Sequence, residues 1–341
     1  MDKTAEAISV GKVSDFRLLE QLSDEWKRLY EGSASTTPFQ SPDWIIPWWK
    51  VFGAGKLFIL YVRHNQRLIG FAPLYIYRLK DSGLRQAALI GTGNSDYLDI
   101  LSEDGFAEIV TEAIYTYLAA NHSEWDICYF QGLKEKSPLL KIREAAGITI
   151  RTMPFEVCPV SNLPEDIEEL LSGLPVSFRK NTIRARNNLD KQGELTYETA
   201  TDRTLDEFLY NLFNLHKKSW EGRNASGVLD GEAIKTFHRE SSKRFLKSNS
   251  LRLSRLRYNG KAIAAAYSMI KYPVLYYYIG GFDPDMKKFS PGSVLLLYIM
   301  EDIINAGFKQ FDFLMGAEEY KYNWGAKDKR IFKMIINKVH G

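Results

Sequence analysis

The sequence predicts an α/β fold of two tandem modules, in each of which a mixed, mostly antiparallel sheet is flanked by helices. The 341 residues are 45% hydrophobic and 26% charged, which is ordinary for a folded chain and leaves room for two buried cores. A strand–helix–strand pattern stands out over residues 274–315. A similar succession of patterns in the first half indicates a second module.

The strand–helix–strand pattern is the clearest element. An aromatic and β-branched run, Val274 to Ile279, is typical of a strand, and Gly280-Gly281 interrupts it. Ser290-Pro291-Gly292-Ser293 then opens a run with apolar residues at helical spacing, which ends at Gly307. Lys309 to Met315 alternates as a second strand. A strand, a crossover helix and a parallel strand form one βαβ unit.

The first half repeats this succession weakly. Residues 56–78 and 251–271 both predict a hairpin, the second with a strong Asn259-Gly260 turn, and each is followed by a strand, a helix and a strand. We therefore expect modules at residues 1–160 and 196–341. Residues 161–195 are predicted to link them and to contain a basic helix.

The start of the predicted helix after Ser290 is a candidate phosphate site. Amides around Gly292 and Ser293 have no partner within a helix and carry the positive end of its dipole. Pro291 needs no amide partner there, and Gly292 allows a ligand to approach the backbone. On the second strand, Asp312 lies among apolar residues and requires a cationic or hydrogen-bonding partner.

Four motifs occur in order, GGFDP, FSPGS, AGF and FDFLMGAEEYKYNW, and together they resemble the CelD-like branch of the GNAT acyltransferases, enzymes associated with bacterial cellulose and exopolysaccharide synthesis. An earlier Phe-Gln-Ser-Pro-x-Trp stretch, at residues 39–44, is similar as well. The branch resembles the Fem-type peptidyltransferases, which carry two GNAT modules. The resemblance implies two GNAT-like modules, of which the N-terminal one is degenerate, and acyl transfer from acetyl-CoA or another acyl-CoA.

The resemblance also implies site residues. Those expected to face the thioester or hold the pyrophosphate are Tyr278, Ile279, Gly280, Gly281, Ser290, Gly292, Ser293 and Val294. FSPGS replaces the Arg/Gln-x-x-Gly-x-Gly/Ala loop familiar in GNAT enzymes. Transfer to an amine needs a base and a proton donor, for which we expect Asp312 and Tyr320. The expected acceptor-binding residues are Asp96, Tyr97, Asp99, Arg179, Arg184, Glu318, Lys321 and Trp324.

Two sequence patterns each allow two interpretations. The basic helix, Ser177 to Gly193, is either a solvated face or a cationic rim for a phosphate-bearing ligand, and the resemblance favours the rim. Trp44, Trp48 and Trp49 have helical spacing, which favours core packing over a role beside the substrate.

Composition limits the function classes. A net charge of +3 gives no overall attraction for DNA, and the two cysteines, Cys128 and Cys158, have no disulfide or metal-ligand spacing. The sequence has no signal-peptide or membrane-spanning pattern, so we expect a cytoplasmic enzyme acting on a small-molecule or glycan-precursor amine, without a metal. A Fem-type aminoacyl transferase using charged tRNA and a non-catalytic binding module are the alternatives.

Overall fold

The computed structural model describes residues 8–142, 144–145, 147–221 and 227–339. The strands are β1 (Ile8–Val13), β2 (Lys56–Leu57), β3 (Ile59–His64), β4 (Arg67–Ala72), β5 (Leu74–Arg78), β6 (Arg85–Leu89), β7 (Leu101–Ser102), β8 (Ile127–Lys134), β9 (Glu144–Ala145), β10 (Ile148–Asn162), β11 (Leu195–Thr199), β12 (Leu251–Tyr258), β13 (Lys261–Lys271), β14 (Val274–Phe282), β15 (Gln310–Asp312) and β16 (Lys327–Lys338). The helices are α1 (Phe16–Gln21), α2 (Ser23–Gly32), α3 (Pro42–Phe52), α4 (Ala107–Ala120), α5 (Ile167–Gly173), α6 (Val176–Gln192), α7 (Leu205–Glu221), α8 (Glu232–Lys247), α9 (Pro291–Asn305) and α10 (Glu319–Asn323).

The chain forms two compact units. Unit 1 comprises residues 1–156 and 329–341, and unit 2 comprises residues 157–328. Within unit 1, β1, β3, β4 and β7 form an antiparallel sheet, and β2, β5, β6, β8 and β16 follow one another in a mixed sheet. Its core contains α4 residues together with Trp125 and Phe130. The predicted class of mixed sheets flanked by helices is therefore confirmed.

Unit 2 has one sheet, in the order β11, β12, β13, β14, β15 and then the end of β10. Only β14 and β15 among these pairs are parallel, and α9 connects them, so the predicted βαβ unit is present. The α9 helix packs with Ala264, Ala266 and Leu275 in the core. Because neighbouring residues of a strand face opposite sides, Ala265 and Gly281 face the side that α7 covers.

The unit boundaries differ from the predicted module boundaries at two places. Residues 161–195, expected to be a linker, contribute Leu171 of α5 and Leu189 of α6 to the core of unit 2. Residues 329–341, expected in the C-terminal module, belong to unit 1, because β16 pairs with β8 and inserts Met334 and Ile336 into the core there.

Within the part of the chain that the structure describes, no helix combines the length and the apolar character needed to cross a membrane.

Gly281 provides a test of the packing between α7 and β14. A Cβ atom on Gly281 would lie 2.4 Å from the main-chain nitrogen of His216 and 2.6 Å from the His216 Cα. Backbone atoms of a helix cannot move aside easily. We expect Gly281→Ala to lower the free energy of unfolding by about 1–3 kcal/mol, the usual cost of overpacking. Urea unfolding measures this. The control is Gly173→Ala, where a Cβ meets nothing within 4 Å, and equal midpoints for the two variants contradict the packing argument.

Candidate active site

An opening between β14 and β15 lies where their parallel pairing ends. The pairing covers three residue pairs, of which Tyr276 with Asp312 is the last. Beyond it β14 stays with β13, whereas the chain after β15 follows β10, with the Phe313 amide donating to Pro159 O at 2.9 Å. The β13–β14 register shifts here, and Tyr278 is the additional residue of a β-bulge. We call this opening, with Tyr277, Tyr278, Gly280, Glu318 and Tyr320 around it, the divergence site.

Asp312 lies at the base of the divergence site and is 5% exposed. Its Oδ1 accepts a hydrogen bond from the Leu314 amide at 2.8 Å, and Leu314 has a φ of 59°. A non-glycine residue with such a φ needs local support, which this bond supplies. Asp312 therefore shapes the turn after β15, and its role as a base remains a prediction.

Lys321 has an internal role instead of the expected contact with an acceptor. The side chain is 2% exposed, and its Nζ donates to Met315 O at 2.8 Å and Gly316 O at 3.0 Å. It also forms an ion pair with Glu318 at 2.8 Å. These bonds satisfy the buried ammonium and fix the loop that carries Glu318.

Two aromatic residues predicted for the site have different environments. Tyr320 is 38% exposed, and its ring meets the edge of Phe313 at a centroid distance of 6.1 Å. Trp324 is fully buried, and its ring centroid lies 5.1 Å from that of Phe178. Contrary to our expectation, it packs in the core and does not present its ring to a ligand.

Helix α7 already binds part of the β14 edge that we expected to face a thioester. His216 Nδ1 lies 3.1 Å from Gly280 O, and because a carbonyl only accepts, Nδ1 carries the proton. Ser219 Oγ accepts from the Phe282 amide at 2.9 Å and lies 2.7 Å from Phe282 O. Ile279 and Gly281 are buried as well. No sequence pattern indicated these contacts, because periodicity predicts the face on which a side chain lies and not the hydrogen bonds along a strand edge.

The start of α9 keeps the features of an anion site. Ser290 adopts a left-handed conformation, with a φ of 45°, and its side chain makes no capping hydrogen bond. The first-turn amides of Gly292 and Ser293 have no acceptor within the helix. The amide of Val294 donates to Ser290 O at 3.1 Å. Contrary to our expectation, it is therefore not available to a pyrophosphate. The first turn contains no acidic residue.

Asp283, within the GGFDP motif, fixes the segment before α9 and was not predicted as a site residue. It is 1% exposed, pairs with Lys261 at 2.7 Å and Lys218 at 3.8 Å, and caps the 3₁₀ turn Pro284–Phe289 through the Asp285 amide. Burial raises its pKa, but the Lys261 hydrogen bond and the other partners outweigh burial and lower the pKa overall.

The basic helix is α6, which packs against α9 and against the turn Pro284–Phe289. Arg179 donates to Leu171 O at 3.2 Å, which satisfies the end of α5 instead of a ligand. Arg184 is exposed. The turn also carries the exposed Lys287 and Lys288, three and two residues before Ser290, and these were not predicted.

In unit 1, the residues around Asn94–Tyr97 are held by groups from the Phe-Gln-Ser-Pro-x-Trp stretch and the helix after it. Trp44 Nε1 donates to Ser95 Oγ at 2.8 Å, and Gln40 Nε2 donates to Tyr97 O at 2.9 Å. Trp48 Nε1 donates to Asn94 Oδ1 at 2.9 Å. These tryptophans are core residues whose indole nitrogens position a loop. Tyr97 is itself buried. Contrary to our expectation, its ring is therefore not available to an acceptor.

Asp96 and Asp99, the other two residues predicted here, are half-buried. Asp99 Oδ1 accepts from the Ile100 amide at 2.8 Å and from Ser137 Oγ at 3.0 Å. Burial is stronger than these bonds and raises the pKa of Asp99 to about 7. A cationic group beside this carboxylate would favour its charged form.

Among the described residues, no group of three or more His, Cys, Asp or Glu side chains could hold a metal ion.

Comparison with known proteins gives a family match within unit 2. Residues 176–322 match the family model described as an acetyltransferase (GNAT) domain. No curated protein matches the sequence.

Solved structures extend the likeness to nearly the whole chain. FemX has a TM-score of 0.66 at 11% identity, over 95% of this chain and 96% of its own. A conserved protein of unknown function from Bacteroides thetaiotaomicron has a TM-score of 0.58 at 10% identity, over 97% and 100%. L-PGS from Bacillus licheniformis has a TM-score of 0.52 at 12% identity, over 80% and 82%. At such low identities, the TM-scores show a shared fold alone. Together with the family match of residues 176–322, they confirm the expected GNAT-like fold.

Asp283→Asn tests the ion pair before α9. A hydrogen bond to a charged group contributes about 1.5–3 kcal/mol, so we expect a loss of this order at pH 7. Because the folded-state pKa is lowered, the contribution is present above the unfolded pKa and is lost as the pH falls through the folded pKa. Urea unfolding from pH 7 down to pH 3 checks this, with the exposed Asp285→Asn as control. A difference that stays constant with pH contradicts the assignment.

Asp99→Asn should show the opposite pH dependence. Between its ordinary value of 3.8 and about 7, the folded state holds a proton that the unfolded chain has lost, so wild-type stability falls as the pH rises. At 1.36 kcal/mol per pKa unit, the free energy of unfolding of the variant rises relative to that of the wild type by at most about 4 kcal/mol over this pH interval. Thermal or urea unfolding at pH 4 and pH 8 measures it. The exposed Asp104→Asn is the control, and a gain already complete at pH 4 contradicts the expectation.

Proposed function

We propose that unit 2 transfers an acyl group from a phosphate-bearing donor to a primary amine. The observation that carries the proposal is the opening between β14 and β15 beyond Tyr276 and Asp312, next to the start of α9. Ligands of open α/β sheets bind at the carboxyl ends of the strands. Helix-start amides favour an anion there. The match of residues 176–322 to an acetyltransferase (GNAT) domain supports the same chemistry.

Our first candidate for the donor is an acyl-CoA, most simply acetyl-CoA. Its pyrophosphate would lie at the amides of Gly292 and Ser293, with Lys287 and Lys288 adding positive charge. Tyr320, which is 38% exposed, is a candidate to protonate the leaving group, and Asp312 is the candidate to accept or orient the amine proton. The acceptor is an amino sugar or amino-acid-like glycan precursor, as the CelD-like resemblance implies.

A second candidate is an aminoacyl transferase that draws on charged tRNA, as in the Fem-type resemblance. One observation favours it: the Phe282 amide, which can donate only one hydrogen bond, already donates to Ser219 of α7 and is not available to a pantetheine arm. The fold likeness to FemX agrees with this alternative. A tRNA 3′ end also carries phosphate, so the role proposed for the start of α9 is the same for both donors.

Gly292→Asp separates donor binding from folding. A Cβ on Gly292 would lie 3.8 Å from its nearest neighbour, Phe282, so an aspartate fits, and a carboxylate in a first helical turn favours the helix. We expect acyl-CoA affinity to fall by about tenfold or more, because the new charge repels the phosphate. Calorimetry with acetyl-CoA and longer acyl-CoAs measures this.

The control for this experiment is Gly173→Asp, the same charge change at an open position of unit 2. Equal affinities of wild type and Gly292→Asp contradict the phosphate site. If the folded wild type binds no acyl-CoA, the same pair of variants is compared in transfer from aminoacyl-tRNA, and activity there supports the second donor. Inactivity with both donors contradicts the proposed function.

A further inference from the structure

Tyr277 occupies a position in the divergence site that the sequence did not single out. It is the first residue of β14 beyond the last parallel pair, and it directly precedes the bulge at Tyr278. Its ring stacks on Phe311 at a centroid distance of 5.8 Å and meets Phe313 at 6.2 Å. Tyr277 is thus fixed from one side by aromatic contacts at the end of β15.

The hydroxyl of Tyr277 lies directly against Gly280. A Cβ atom on Gly280 would be 2.0 Å from the Tyr277 oxygen, which is far inside contact distance. Gly280 has an ordinary φ, so glycine is required here by the space that the phenol takes and not by backbone conformation. The two adjacent glycines are therefore required for different reasons: Gly280 leaves room for the Tyr277 phenol, and Gly281 leaves room for the α7 backbone.

The phenol is suited to give a proton. Both Tyr277 and Gly280 are half-buried, so the ring is covered while the site remains accessible. Among the described residues, no group makes a hydrogen bond with the Tyr277 hydroxyl. Burial, with the charge of Glu318 as a second cause, raises the pKa of Tyr277, so the phenol is protonated at neutral pH, although the same shift makes it a weaker acid.

We propose that Tyr277 is the proton donor to the leaving group in the transfer reaction, ahead of Tyr320. The inference rests on the proposed function but holds for either donor. The amine nitrogen forms a bond to the acyl carbon, and the bond from that carbon to sulfur, or to the ribose oxygen of a charged tRNA, breaks. The phenol proton passes to the departing atom. Glu318, whose charge acts on Tyr277, accepts the proton released by the amine, while Asp312 keeps the role of orienting the amine. Return of that proton from Glu318 to the phenolate restores both groups.

Tyr277→Phe tests this with the ring contacts kept. A proton-transfer group contributes about 10²–10⁴-fold to rate, and we expect kcat to fall by at least 10²-fold with the donor KM within about threefold. Tyr298→Phe, which removes a half-buried hydroxyl from α9, is the control and should keep wild-type kcat. Tyr320→Phe measured alongside should lose less than Tyr277→Phe.

Gly280→Ala provides a second, independent variant, because its methyl group displaces the same phenol. We expect a loss of kcat similar to that of Tyr277→Phe, and the double variant to be no worse than either single one, since both remove one interaction. If the wild type is active but Tyr277→Phe keeps the wild-type kcat, the role of Tyr277 is contradicted while the proposed function stands. Additive losses of kcat in the double variant have the same consequence. A wild type that transfers from neither donor overturns the proposed function with it.

Discussion

The contact between α7 and the edge of β14 is the constraint on which the rest of unit 2 depends. Gly281 lets the α7 backbone lie against the strand, and His216 and Ser219 then bind Gly280 O and Phe282. These bonds satisfy main-chain groups that a neighbouring strand would otherwise need to satisfy. The strand can therefore continue past the end of its pairing with β15 without losing hydrogen bonds, and the opening is a stable feature of the fold.

Charges at the opening are fixed by internal partners before any ligand binds. Lys321 holds the loop of Glu318 through three carbonyl groups, and Asp283 holds the turn that leads into α9. Fixed groups need no reorganisation when charge develops during a reaction. This explains why two charged residues near the opening are almost completely buried, which is costly unless each is paired and hydrogen-bonded.

The sequence predicted which faces of the helices and strands are buried better than it predicted the hydrogen bonds along the strand edges. Alternation and helical spacing gave the βαβ unit, and FSPGS located the start of α9, because those signals are local. The hydrogen bonds of His216 and Ser219 with Gly280 and Phe282 join residues 64 and 63 positions apart, so no local pattern reports them. The bulge at Tyr278 depends on the register between β13 and β14, which alternation does not report either. Lys321 and Trp324 matched a motif, but a motif does not distinguish a buried supporting residue from one that contacts a ligand. In unit 1, Trp44 and Trp48 had helical spacing for the core, while their indole nitrogens hold a loop.

The start of α9 is the part of this account shared by both donors, and its direct test is amide NMR of the full chain titrated with inorganic pyrophosphate. We expect saturable shifts of the Gly292 and Ser293 amide signals, with the Phe282 amide unchanged because Ser219 already binds it. The Gly292→Asp variant should lose these shifts. Shifts at Phe282 without any at Gly292 and Ser293 would contradict the assignment of the anion site.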